Sequence, residues 1–144
     1  MDKLIKLFHA IVILGFLLLF ACTSSGNAQS LPGSTWKLVS YGPVSNQTPV
    51  IPGVDTTITF DRDGKLSGSV GCNGFGGDYK VSAGKITFGP VMRTMMACDG
   101  PVMQQEDTVM QVFSGTAAYE LESGKLTITS ADASLAVVLA QTGR

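Results

Sequence analysis

The chain has 144 residues, and 10 Lys+Arg against 11 Asp+Glu leave a formal charge of −1. No basic block or stripe occurs, so the electrostatic footing for nucleic-acid binding is missing. The single histidine, His9, lies in an apolar N-terminal stretch, so the remainder has no imidazole for general acid–base work, for activating a Ser or Cys nucleophile, or for zinc.

At the N-terminus Lys3 and Lys6 precede an apolar run from Leu7 to Ala21, broken only by His9 and Gly15. Such a run suits the core of an export signal and falls short of the roughly 20 residues a membrane span needs. Leu19-Phe20-Ala21-Cys22 follows, with a hydrophobic residue three places before a cysteine and a small residue just before it. This element resembles the lipobox of bacterial lipoproteins. The resemblance implies removal of residues 1–21 as a signal peptide and a diacylglycerol on the Cys22 thiol. Because Thr23 is not the aspartate that retains such proteins in the inner membrane, it also implies the outer membrane in a two-membrane cell. The alternative, an uncleaved signal anchor, also places the rest of the chain outside the cytosol, since Lys3 and Lys6 stay inside. The expected location is therefore the cell envelope, with the membrane as a partner through lipid on Cys22. Residues 22–30 read as a polar tether spanning at most roughly 30 Å. From Cys22 on the chain carries 8 Lys+Arg and 10 Asp+Glu, a formal charge of −2.

From Trp36 onward the hydrophobic period is two. Ile58 and Phe60, Leu66 and Val70, Tyr79 and Val81, Ile86 and Phe88, Tyr119 and Leu121, and Leu126 and Ile128 each alternate with polar residues. This is the pattern of strands with one buried and one wet face. Asp63-Gly64-Lys65, Ala83-Gly84-Lys85 and Ser123-Gly124-Lys125 each separate two alternating runs and read as hairpin turns. About eight strands are predicted, at 35–41, 56–61, 65–70, 77–82, 84–88, 117–122, 124–129 and 134–140. One segment, 101–114, changes period: Val102, Val109 and Phe113 share a helical face, with Met103 and Met110 beside it. Pro101 suits the first turn and Gly115 the stop. Glu106 falls near that stripe, where a carboxylate must find donors or stay at the rim. The expected fold is mainly β (α+β): a small antiparallel sheet of about eight strands with one helix.

With Cys22 set aside, Cys72 and Cys98 remain as an even pair. In an oxidising compartment this points to one disulfide, worth roughly 3.5 kcal/mol by loop-closure entropy. Two free buried thiols, or a redox or metal pair, are the other readings; the last lacks Cys-x-x-Cys spacing and a βαβ setting.

Gly71-Cys72-Asn73, then Tyr79, then Thr94-Met95-Met96-Ala97-Cys98, then Glu106 resemble the signature of the META domain, the HslJ-like family. The opening Leu31-Pro32-Gly33-Ser34-Thr35-Trp36-Lys37-Leu38 is also similar to that family's first strand. The likeness covers about residues 31–140 and implies a small antiparallel β domain, barrel-like, with one helix. It also implies a link to heat shock and envelope stress, and no agreed reaction; fold analogy alone cannot supply one.

Other candidate chemistry is thin. Gly71 to Gly77 is glycine-rich but lacks the Lys-Ser/Thr ending of a phosphate-binding loop, and reads as a bulge or tight loop with Asn73 bonding local backbone. Asp61-Arg62-Asp63-Gly64 has too few oxygen ligands for calcium and reads as a solvated hairpin tip. Met92, Met95 and Met96 offer thioethers to Cu(I), against the plainer expectation that they pack under the helix with Met103 and Met110. No catalytic residue, metal or cofactor is assigned. The expected function is a non-catalytic binding or structural accessory in envelope homeostasis or stress, with Gly71, Asn73, Tyr79, Thr94, Met96 and Glu106 in structural roles. Possible partners are another envelope protein or an apolar ligand. The second reading is a carrier of a small lipid-like ligand, with Phe75, Phe88, Met92, Met95, Met96 and Phe113 lining a barrel mouth.

Overall fold

The computed structural model describes residues 30–143. The expected signal peptide, Cys22 and the tether up to residue 29 lie outside the described residues.

Among the described residues ten strands and one helix follow in chain order: β1 (Ser34–Pro43), β2 (Thr48–Pro49), β3 (Thr57–Phe60), β4 (Lys65–Ser69), β5 (Gly74–Ser82), β6 (Lys85–Phe88), β7 (Met92–Arg93), α1 (Gly100–Val112), β8 (Thr116–Glu122), β9 (Lys125–Thr129) and β10 (Leu135–Gly143). Eight of the strands close an antiparallel barrel in the order β1-β3-β4-β5-β6-β8-β9-β10, and β10 pairs back onto β1 from Thr35↔Gly143 to Pro43↔Leu135. Closure leaves the barrel no free edges. The mainly-β fold expected from the periodicity, and the barrel-like closure implied by the family resemblance, are therefore both observed.

Three details differ from the expectation. The short β2 and β7 are additional, pairing with β1 and β5. β5 begins at Gly74 rather than at residue 77, so Gly74 to Gly77 are ladder and only the start of the glycine-rich stretch, through Asn73, is loop. Phe75 and Gly76 sit between Gly68 and Ser67 of β4 on one side and Arg93 and Met92 of β7 on the other. The helix spans Gly100–Val112, earlier than 101–114, because Phe113 already leaves helical geometry as the C-cap.

Inward positions fill the barrel. Trp36, Ile58, Phe60, Leu66, Ile86, Leu126, Ile128 and Leu139 are all buried. The Trp36 indole N–H donates to the Ser34 hydroxyl at 2.6 Å, and that hydroxyl donates on to the Leu31 carbonyl. A buried indole thus keeps a partner without opening the core. In the two-residue turns Ala83-Gly84 and Ser123-Gly124 both residues have positive φ, the geometry that matches strand twist in tight hairpins.

The register sorts the molecule into two poles. The β3–β4, β5–β6 and β8–β9 hairpins share one pole with the entry of the chain into β1. At the opposite pole lie the β4–β5 loop, β7 and α1, which packs against β1 and β10.

Tyr79 anchors the hairpin pole. Its hydroxyl donates to the Asp61 carbonyl at 2.5 Å and its ring meets Phe60 edge-on, with centroids 5.1 Å apart. Burial first, and then the charge of Asp61, pushes the phenol up to about 12. An unfolded tyrosine titrates near 10. Between about pH 10 and about pH 12 the unfolded chain therefore sheds a proton that the folded one keeps, so this contribution is complete below about 10 and is lost as pH rises. Urea melts across that window should show an alkaline decline in stability that is shallower in Tyr79→Phe.

Candidate functional site

The residues that carry the family signature meet at the helix pole. The β4–β5 loop, Val70 to Asn73, runs under α1. Gly71 allows the approach: a Cβ there would lie 3.2 Å from both the Val102 carbonyl and the Glu106 carboxylate. The backbone N–H groups of Cys72 and Asn73 then point at Glu106 Oε2, at 3.1 and 2.8 Å. Glu106 Oε1 accepts from Asn73 Nδ2 at 2.9 Å and from Arg93 Nη1 at 3.2 Å. Glu106 is 1% exposed, so one buried carboxylate takes four donors, one of them cationic. That satisfies the condition on which a buried charge is tolerated.

Asn73, also 1% exposed, passes the connection to the next segment. Its Oδ1 accepts from Thr94 Oγ1 at 2.9 Å and from the Met96 N–H at 2.7 Å. Its Nδ2 donates to Glu106 and also to the Met96 carbonyl, at 3.3 Å. Both donors and both acceptor sites of the amide are thereby engaged. Arg93 also donates to Asp107 Oδ1 at 2.6 Å; this bond, reinforced by the charges of both carboxylates, raises the guanidinium above its usual range. Cys72 and Cys98 are joined by a disulfide, with Cα atoms 6.2 Å apart, so the same two segments are linked covalently just before α1 begins.

Gln105, fully buried beside Glu106, does for a second loop what Glu106 does for the first. Its amide donates to the Val70 carbonyl and accepts from the Ile51 N–H at 2.9 Å. The buried face of α1 is thus Gln105, Glu106, Val109 and Val112, with Phe113 just beyond, rather than the Val102–Val109–Phe113 stripe expected. Gln105 and Arg93 were not legible as site residues. Within the polar run Gln104 to Asp107 the apolar pattern singles out only Glu106, and the loop backbone opposite makes Gln105 interior as well.

The structure brings together Gly71, Cys72, Asn73, Thr94, Met96, Cys98 and Glu106, and leaves Tyr79 at the other pole. Phe75, Phe88 and Phe113 lie in the core. They are buried and pack on one another, with Phe113 centroids 5.9 Å from Phe75 and 5.2 Å from Phe88. Met92, Met95 and Met96 do not pack under the helix; they are 73%, 95% and 55% exposed. Pairing of this segment with β5, and the bonds of Met96 to Asn73, hold it at the surface. At the hairpin tip Asp61 Oδ1 accepts from the N–H groups of Asp63 and Lys65, each at 2.8 Å, so this carboxylate shapes the turn.

Chemically the cluster is closed. Among the described residues no buried side-chain polar atom lacks a hydrogen-bond partner, and no group of three His, Cys, Asp or Glu is placed to hold a metal ion. What the arrangement does is fasten two loops to a helix.

A closed eight-stranded barrel capped by one helix, with its signature residues spent on that fastening, defines the class. The META domain family matches residues 29–142, and the chain belongs to that family. Among individual proteins, it is 32% identical over 84 residues to the heat shock protein HslJ of Escherichia coli (strain K12). That alignment spans 58% of this chain and 59% of the relative's length. The fold is similar to an NMR structure of a protein from Burkholderia xenovorans, at a TM-score of 0.66 and 21% identity, covering 79% of this chain and 85% of that one. It is also similar to the crystal structure of a DUF4847 family protein from Bacteroides vulgatus, at a TM-score of 0.56 and 13% identity, covering 79% and 96%.

Proposed function

We propose that this protein is a lipid-anchored, extracytoplasmic META-domain protein that acts without catalysis, as a binding or structural accessory in envelope homeostasis or stress. The observation that carries the non-catalytic part is the saturation of the signature residues. Asn73 and Glu106 have every polar atom engaged inside the protein, so neither has an atom left over to bind or activate a substrate. A general acid or base must instead reach a proton of the substrate. The stress role rests on the likeness to a heat shock protein, and the anchor rests on the lipobox-like Leu19-Phe20-Ala21-Cys22.

Intact mass of the protein purified from membranes, before and after reduction, tests the anchor. The expected species is Cys22 to Arg144 plus lipid, lighter by two hydrogens before reduction. A mass beginning at Met1, or a processed chain without lipid, would overturn it. The non-catalytic part would fall to substrate turnover that a single side-chain substitution abolishes while leaving the melting temperature unchanged.

A further inference from the structure

We propose that Met92, Met95 and Met96 form an oxidant-reactive methionine site on the helix pole, converted to sulfoxides by hypohalous acid while the fold stays intact. Exposed large apolar side chains are few among the described residues: these three methionines, with Val39 and Val44. At 73%, 95% and 55% exposure the thioethers contribute little to the core and are open to solutes. Their susceptibility follows that exposure.

The backbone beneath them is unusually well fastened for an exposed segment. Met92 and Arg93 pair with Gly76 and Phe75. The Thr94 N–H donates to the Gly74 carbonyl at 3.0 Å, and both the N–H and the carbonyl of Met96 bond the Asn73 side chain. Two residues on, Cys98 is held by the disulfide. A sulfoxide at any of the three enters water directly and disturbs no packed contact. Met103 and Met110 differ. Both are partly buried on α1, Met103 Sδ accepts from Asn73 Nδ2 at 3.9 Å, and Met110 packs against the core. A polar sulfoxide at either would disrupt packing. The structure thus separates a reactive trio from a protected pair, and sets the trio at the pole away from the entry of the chain.

In the reaction the thioether sulfur is oxidised by two electrons. An S–O bond forms, the O–Cl bond of hypochlorous acid breaks, and chloride and a proton leave. Methionine sulfoxide reductases reverse the change, so the surface can alternate between apolar and polar.

Stepwise addition of hypochlorous acid to the full chain, with peptide mass mapping and near-ultraviolet circular dichroism, tests the site. Met92, Met95 and Met96 should each gain one oxygen about tenfold faster or more than Met103 and Met110. The circular dichroism and melting temperature should not change over that phase. A Met92→Leu, Met95→Leu, Met96→Leu variant, altered only at exposed positions, should take up about three oxygens fewer in the fast phase. Equal rates at Met103 and Met110, loss of tertiary signal with the first oxygens, or an undiminished fast phase in the triple variant would each overturn the proposal.

Discussion

Replacing Glu106 with alanine is expected to destabilise the domain by about 3–5 kcal/mol, lowering the melting temperature by roughly 12–20 °C. The magnitude follows from what is left behind. The Cys72 and Asn73 N–H groups lose their acceptor, Asn73 Nδ2 loses one of its acceptors, and the Arg93 guanidinium loses one of its two carboxylates. Unsatisfied buried donors cost about 1–3 kcal/mol each when the structure cannot relax around them. Glu106→Gln should fall between wild type and alanine, since one oxygen still accepts while the new amide faces N–H groups that need an acceptor. Asp107→Ala, which removes the exposed partner of Arg93, should cost under about 1 kcal/mol. A cycle of Glu106→Ala with Asn73→Ala should be strongly non-additive, because each change removes bonds made by the other. Chemical denaturation of the wild type and these five variants measures all of this. A Glu106→Ala domain within about 1 kcal/mol of wild type would refute the clamp as a stabilising element.

Gly68→Ala is expected to be at least as damaging, about 3 kcal/mol or more, and to prevent folding if the barrel is only marginally stable. Gly68 lies in β4 opposite Ile58 on one side and Phe75 on the other. A Cβ there would sit 2.0 Å from the Thr57 carbonyl oxygen and 2.9 Å from its carbon. The obstruction is backbone already engaged in β3, so the strand has to move and ladder bonds are lost. Gly84→Ala is the contrast, because no atom lies within 4 Å of a Cβ built there and only positive φ opposes the change. A thermal melt of the two variants separates steric exclusion from backbone preference. Near-equal loss would mean that β3 and β4 have more room than their spacing implies.

How far the sequence alone reaches can be judged residue by residue. Alternation such as Ile58/Phe60 and Leu126/Ile128, with Gly-Lys turns between, specified the strands, because period-two burial and positive-φ turns are properties of a few consecutive residues. The change of period at 101–114 specified a helix for the same reason. The signature residues were legible as a set, but not the part each plays. Glu106 was predicted to need donors, and the donors proved to be main-chain N–H groups 33 and 34 residues earlier.

What only the tertiary structure decided is everything that joins distant segments. No local pattern announces that β10 returns to β1, since strand pairing of that separation depends on the closure of the whole barrel. Nothing in the sequence places Gln105 inside until the Ile51 and Val70 backbone groups are brought against it. Met92, Met95 and Met96 read as core until the pairing of their segment with β5 and with Asn73 is seen to hold it at the surface. In each case the sequence by itself determined the local conformation. Burial was decided by which surface lay opposite, and that is a property of the assembled barrel rather than of neighbours in the chain.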